Sequence, residues 1–242
     1  MRIGFDLDGV LADLHAPFVQ TALRLFPELD ARAVGAADVG ASPPPASEES
    51  PSEAPARTAD VALSRTQSDA VWRVLASTTD FWESLHEIET GAIARLAALA
   101  DERRWEVIFL TSRPASAGRT VQRQSQRWLQ RQGFPMPSVY VVQSSRGRIA
   151  DALELDIVID DRPENCLDIV LESKAGAVLV WRGPQAGVPA SAKRLGIAVV
   201  TTVAACLDAL VEAQESNDEG GLIDRLRRLF GLRTRSASPL RR

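Results

Sequence analysis

Lysine, cysteine, histidine and tyrosine are all scarce in this sequence. Of its 28 basic residues only Lys174 and Lys193 are lysines, leaving 26 arginines, which points to a chain-wide drift of composition rather than an arginine-specific function. Two cysteines, Cys166 and Cys206, make no disulfide framework; they read as small buried apolar residues in a chain expected in a reducing cytoplasm. His15 and His86 are isolated, with no second histidine or cysteine at ligand spacing, which speaks against a zinc site. Long apolar runs are missing too. The longest uncharged one, LGIAVVTTVAACL at 195–207, falls well short of the roughly 20 residues that span a bilayer. The first residues carry acids where a secretory leader needs an apolar core, so no leader is expected.

What is present is enough to build a full core. The chain has 242 residues, 45% of them hydrophobic, which predicts one main domain with additions. Charge is uneven. Residues 222–242 hold seven arginines against Asp224, a net of +6, and taking this from the total of −4 leaves −10 on the rest. An acidic body is not expected to bind nucleic acid. The tail places Leu222, Ile223, Leu226, Leu229 and Phe230 at helical spacing opposite arginines, which fits an anionic membrane surface, an acidic partner or a helix docked on the domain.

Short apolar or β-branched runs near 2–5, 107–110, 139–142, 157–159, 177–180 and 198–200 alternate with amphipathic segments near 88–103, 116–132, 146–154, 163–173 and 203–214. That rhythm predicts an α/β fold, a Rossmann-like parallel sheet with helices on both faces. Residues 1–13 and 88–214 form the expected core. Residues 14–87 form a small helical cap inserted after strand 1, with helices near 11–26 and 67–77, and 215–242 an acidic linker and basic tail. Within the insertion, 38–58 (DVGASPPPASEESPSEAPART) is too rich in Pro, Ser, Ala and Glu to bury much and reads as a disordered loop.

The chemistry gathers at strand ends. The first strand runs into FDLDGV, where Asp6 and Asp8, two apart, project to one side. The second ends in TSRP (Thr111, Ser112, Arg113) and the fourth in IDDRPEN (Asp160, Asp161). In parallel sheets ligands sit beyond the carboxyl ends of strands. Four carboxylates at one edge repel one another unless a cation neutralises them, and oxygen ligands beside a phosphate suit Mg²⁺.

DLDGV, LTSRP and IDDRPEN, in this order and at strand ends, resemble motifs I, II and IV of the haloacid dehalogenase-like (HAD) hydrolases. FDLDGVLAD, FWESLHEIETGAIARLAAL and VIDDRPEN are most similar to the 5′(3′)-deoxyribonucleotidase-like branch, and the resemblance covers 1–14 and about 80–182. It implies a Mg²⁺-dependent phosphatase working through an aspartyl-phosphate, with a nucleoside monophosphate as the narrower substrate. Asp6 corresponds to the nucleophile and Asp8 to the acid and base. Thr111, with Ser112 beside it, would hold the phosphoryl group, and Asp160 or Asp161 would bind the metal with Asp6 and the main-chain carbonyl of Asp8. The family's motif III lysine, about 14 residues before the acid pair, has no counterpart; Arg146 falls at that position, with Arg148 next in line. Arginine binds phosphate but does not replace lysine atom for atom at a tight site. The alternative is a phosphate- or nucleotide-binding regulatory module with little turnover.

Other residues have two readings each. Asp13 is a group behind the site or a helix-surface acid. Arg113 reaches substrate or pairs with a neighbouring acid. Arg162 marks a helix start. Trp72, Phe81 and Trp82 stack on a base or pack in the core, and Trp181 and Arg182 flank the site or simply pack.

Overall fold

Six runs of apolar and β-branched residues pair side by side into one parallel sheet. The computed structural model describes residues 1–29, 63–215 and 225. The strands are β1 (Arg2–Asp6), β4 (Glu106–Thr111), β5 (Ser138–Val141), β6 (Ile157–Asp160), β7 (Gly176–Val180) and β8 (Ala198–Val200), in the order β5-β4-β1-β6-β7-β8. Successive crossovers run outward from β1 through β4 to β5, then return to β6 on the other side. The order therefore reverses at β1 and β6, and the crevice beyond their carboxyl ends is where such sheets take ligands.

The period of two along each strand sends alternate residues to opposite faces. Ile3, Phe5, Phe109, Ile159 and Val178 pack with Leu96 of α3 (Ala92–Arg103), Trp128 of α4 (Val121–Arg131) and Leu207 of α8 (Val203–Glu215). Leu110, Val158 and Leu179 face the other way. They meet Ala150 of α5 (Arg146–Ala152), Ile169 of α6 (Pro163–Glu172) and Ala192 of α7 (Ala190–Leu195). The fold is thus the expected α/β sheet with helices on both faces. Cys166 and Cys206 are both buried and unpaired in a disulfide, and burial pushes the Cys206 thiol up to about 12. Among the described residues no helix is long and apolar enough to cross a membrane.

Between β1 and β4 stand α1 (His15–Leu25) and α2 (Arg65–Ser77), joined to the same core through Phe18 and Trp72, whose rings lie 5.5 Å apart. Ser64 and Gln67 cap α2 reciprocally, side chain to backbone, which fixes its start just before the residues predicted. The helix predicted over 11–26 begins only at His15. Leu11 and Ala12 both donate their amides to the Leu7 carbonyl, at 2.8 and 2.7 Å, so the chain turns there. It then forms β2 (Ala12–Asp13), antiparallel to β3 (His86–Glu87). The predicted helix at 88–103 likewise starts late, at Ala92, because Gly91 takes a left-handed φ of 83° and Glu87 accepts from its amide at 2.8 Å. Helix α4 starts at Val121 rather than 116, after the Thr120 cap. The loop expected at 38–58 and the amphipathic tail expected at 222–242 lie outside the described residues, Arg225 apart.

Candidate active site

β1 and β6 end on Asp6 and Asp160, and both side chains are buried. Oxygens of Asp6, Asp160 and Asp161 lie within 4.8 Å of one another. Asp160 is the better tethered of the adjacent acids. Its Oδ1 accepts from the Arg162 amide at 2.9 Å, and Asn165 Nδ2 donates to both of its oxygens at 3.0 Å. Asp161 leans over Gly9, where a left-handed φ of 82° turns the chain away from β1. Burial pushes the Asp6 carboxyl well above its ordinary value; Arg146 opposes this, while Asp160, Asp161 and Asp8 reinforce it. Asp160 is raised by burial too, with Arg146, the Arg162 amide and Asn165 working the other way. Burial and the Asp160 charge lift Asp161 to about 7. Groups shifted this way by crowding are short of positive charge. Three oxygen donors within one ion's reach could hold a metal ion, and oxygen ligands suit a hard cation.

One guanidinium enters the cluster. Arg146, the first residue of α5, is buried; its Nη2 pairs with Asp6 Oδ1, and its Nε stands 3.5 Å from Asp160 Oδ2. Its Nε and Nη1 are buried with no hydrogen-bond partner among the described residues. Buried unmet donors are costly, and an anion's oxygens would satisfy them. Arg148 points elsewhere: it is exposed and lies 3.9 Å from Glu172. Of the two arginines in question, Arg146 is therefore the one beside the acids. α5 can bring it there because Gly147 lets α6 approach closely; a β-carbon at Gly147 would stand 2.2 Å from the Asp168 carbonyl oxygen.

Asp8 does not join the carboxylate cluster with its side chain. Arg113, just past β4, grips it with Nε 3.1 and 2.8 Å from the two oxygens and Nη2 2.7 Å from Oδ1. Thr111 is buried at the end of β4, where its hydroxyl accepts from the Arg113 amide at 3.4 Å, while Ser112 is exposed. Asp13 accepts from the Ala16 amide at 3.0 Å, a helix-start contact at α1. His15 and His86 are exposed and lie outside the acid cluster.

The three aromatics near the expected cap pack in the core. Trp72, Phe81 and Trp82 are buried against one another, with centroids 6.5 Å apart for Trp72 and Trp82 and 4.9 Å for Phe81 and Trp82. None offers a free face to a base. Arg182 does flank the site. It donates to the carbonyl of Gly9, to that of Val10 at 3.1 Å and to Glu89 at 2.7 Å. Nothing in the sequence pattern singles out Glu89. Its partners, the amides of Val203 and Ala204 at 2.7 and 3.0 Å, lie more than a hundred residues away.

Neither a protein-family profile nor a curated protein matches this sequence. Solved structures do. A HAD family hydrolase from Deinococcus radiodurans R1, with bound phosphate and sodium, aligns at 17% identity and a TM-score of 0.55, over 87% of this chain and 94% of its own. A hydrolase from Pseudomonas syringae aligns at 15% identity and a TM-score of 0.51, over 88% of this chain and 99% of its own. At such identities the likeness is one of fold. The fold is shared with a HAD family hydrolase, and neither neighbour bears on a nucleotidase branch.

Proposed function

We propose that this protein is a Mg²⁺-dependent phosphomonoester hydrolase that passes the phosphoryl group through Asp6. One arrangement carries the reading: a strand-end aspartate lies against a buried guanidinium with unmet donors, beside two further carboxylates. The phosphate and sodium bound by the Deinococcus hydrolase are consistent with an anion beside a cation in this fold.

In this scheme an Asp6 oxygen attacks phosphorus while Arg146 and Thr111 hold the phosphoryl oxygens. The ester P–O bond breaks, and the departing oxygen takes a proton from Asp8. Asp8, now ionised, accepts a proton from water as the water oxygen attacks the phosphorylated Asp6, releasing inorganic phosphate and the free carboxylate. Asp6, Asp160, Asp161 and the Asp8 carbonyl would hold the metal, which would neutralise negative charge at the site. Arg146 takes the place of the expected lysine with its charge retained, and residues 14–87 act as the cap that limits access.

The narrower substrate, a nucleoside monophosphate, rests on sequence resemblance around 80–99. Because Trp72, Phe81 and Trp82 are buried, base contacts would have to come from other residues of the insertion. The test is phosphate release from nucleoside and deoxynucleoside monophosphates and simple phosphoesters, with and without Mg²⁺, beside an Asp6→Asn control. Metal-dependent release that Asp6→Asn abolishes supports the reading, and the substrate ranking tests the nucleotide. No release from any ester by a folded protein that still binds Mg²⁺ points instead to a phosphate-binding module.

A further inference from the structure

The Arg113 side chain has no accessible surface, yet it carries a full charge. A buried guanidinium persists only where its donors and its charge are met. Here its edge grips both oxygens of Asp8, and Nη1 donates to Ser125 Oγ at 2.9 Å. Its guanidinium carbon lies over two indoles, 4.8 Å from the centroid of Trp82 and 5.7 Å from that of Trp128. Both walls of this slot are themselves pinned. Trp82 Nε1 donates to the Pro114 carbonyl at 3.0 Å, and its amide donates to Gln124 Oε1 at 3.0 Å. Trp128 Nε1 donates to the Leu85 carbonyl at 2.8 Å. The guanidinium is therefore held by two indoles and Ser125 as well as by Asp8, and a fork of nitrogens orients the carboxylate it holds.

We infer that Arg113 is a positioning residue for Asp8, and that the Trp82–Trp128 slot aims the carboxylate that handles protons. The inference rests on the phosphatase reading, in which Asp8 gives a proton to the departing oxygen as the P–O bond breaks and later takes one from water. Asp8 keeps 19% of its side chain accessible, so the clamp is built from the buried side and leaves the carboxylate at the edge of the site. A side chain so placed would otherwise turn freely about two torsions, and proton transfer depends on hydrogen-bond reach in the transition state.

The experiment follows leaving-group release in single turnovers of the full chain. Its substrates are aryl phosphates from 2,4-dinitrophenyl to phenyl, together with an alkyl phosphate. A good leaving group departs without a proton, whereas a poor one needs it. Arg113→Lys keeps a charge but loses the fork. Its deficit is expected to be about threefold or less for dinitrophenyl phosphate and about a hundredfold or more for the alkyl ester. Ser125→Ala, which removes one anchor of the guanidinium, is expected to show the same trend with smaller amplitude, and it decides the matter if Arg113→Lys does not fold. A deficit that stays equal across the series, in either folded variant, overturns the positioning role while leaving the phosphatase reading intact. If the native protein releases no leaving group from any ester, the phosphatase reading fails and this inference falls with it.

Discussion

Gly9 and Asp161 are so close that a β-carbon on the glycine would stand 1.9 Å from the Asp161 Oδ2. The tight exit from β1 and the acid just after β6 thus occupy one space, and only a residue without a side chain permits both. Gly9→Ala is expected to push Asp161 out of the cluster and to strain a left-handed backbone, at a cost of about 1–2 kcal/mol. Calorimetric titration should show weakened Mg²⁺ binding together with a lower melting temperature. Unchanged metal affinity would remove Asp161 from the ligand set.

Arg146 is the positive charge that Asp6 and Asp160 share. Arg146→Ala leaves Asp6 and Asp160 without their shared counter-charge, a loss of about 3–5 kcal/mol for a broken buried pair. The melting temperature in chelator should fall sharply, and saturating Mg²⁺ should restore much of it. Arg146→Lys should keep most of the stability and of the phosphate affinity. A melting temperature of Arg146→Ala that ignores Mg²⁺ would contradict the shared role.

Gly147 tests the same site from behind. Its missing side chain lets α5 and α6 touch, and a β-carbon there would also stand 2.7 Å from the Glu172 Cβ. Gly147→Ala should cost about 1–3 kcal/mol through overpacking and shift Arg146 relative to Asp6. Phosphate-analogue affinity should drop along with stability. A loss of stability alone would place the two effects in separate parts of the fold.

Glu89 carries a pH dependence. Burial pushes its carboxyl up, but the Val203 and Ala204 amides and Arg182 outweigh this and hold it below the ordinary 4.5. A lowered folded value means that the stabilisation is fully present above about 4.5 and is lost as pH falls through the folded value. As a cap at the start of α8 it contributes about 1 kcal/mol after allowance for solvent screening. Thermal melts of Glu89→Gln and native protein should differ at pH 7 and converge as the pH falls through the folded value, which lies below 4.5. A constant gap across that range would show that the charge is not what matters.

Much of this architecture was legible because parallel strands buried on both faces read as short apolar runs. VIFL in β4 and IVI in β6 needed no tertiary information, and the acids that interrupt such runs marked the site. Three kinds of feature escaped. The start of α1 was masked because Val10, Leu11 and Leu14 suit a helix as well as the turn and the β2 pairing that the Leu7 carbonyl imposes. Helix α7 spans only Ala190–Leu195, too short to show periodicity. Contacts between distant segments left no local trace: Glu89 caps a helix 114 residues away, and Arg113 grips an acid 105 residues before it. For Arg113 a signal existed, since an arginine directly after a strand-end hydroxyl pair stood among acids. The sequence could not decide between a neighbouring acid and the substrate as its partner.

The proposal that Asp6 accepts the phosphoryl group is open to direct chemical trapping. The protein would be mixed with Mg²⁺ and a turning-over phosphoester, quenched, reduced with borohydride and mapped by peptide mass spectrometry. An acyl phosphate is reduced to the alcohol, whereas a free carboxylate is not. Homoserine at position 6, dependent on both Mg²⁺ and ester, is the expected result. An unmodified Asp6 peptide while phosphate is being released would contradict it and exclude the aspartyl-phosphate route.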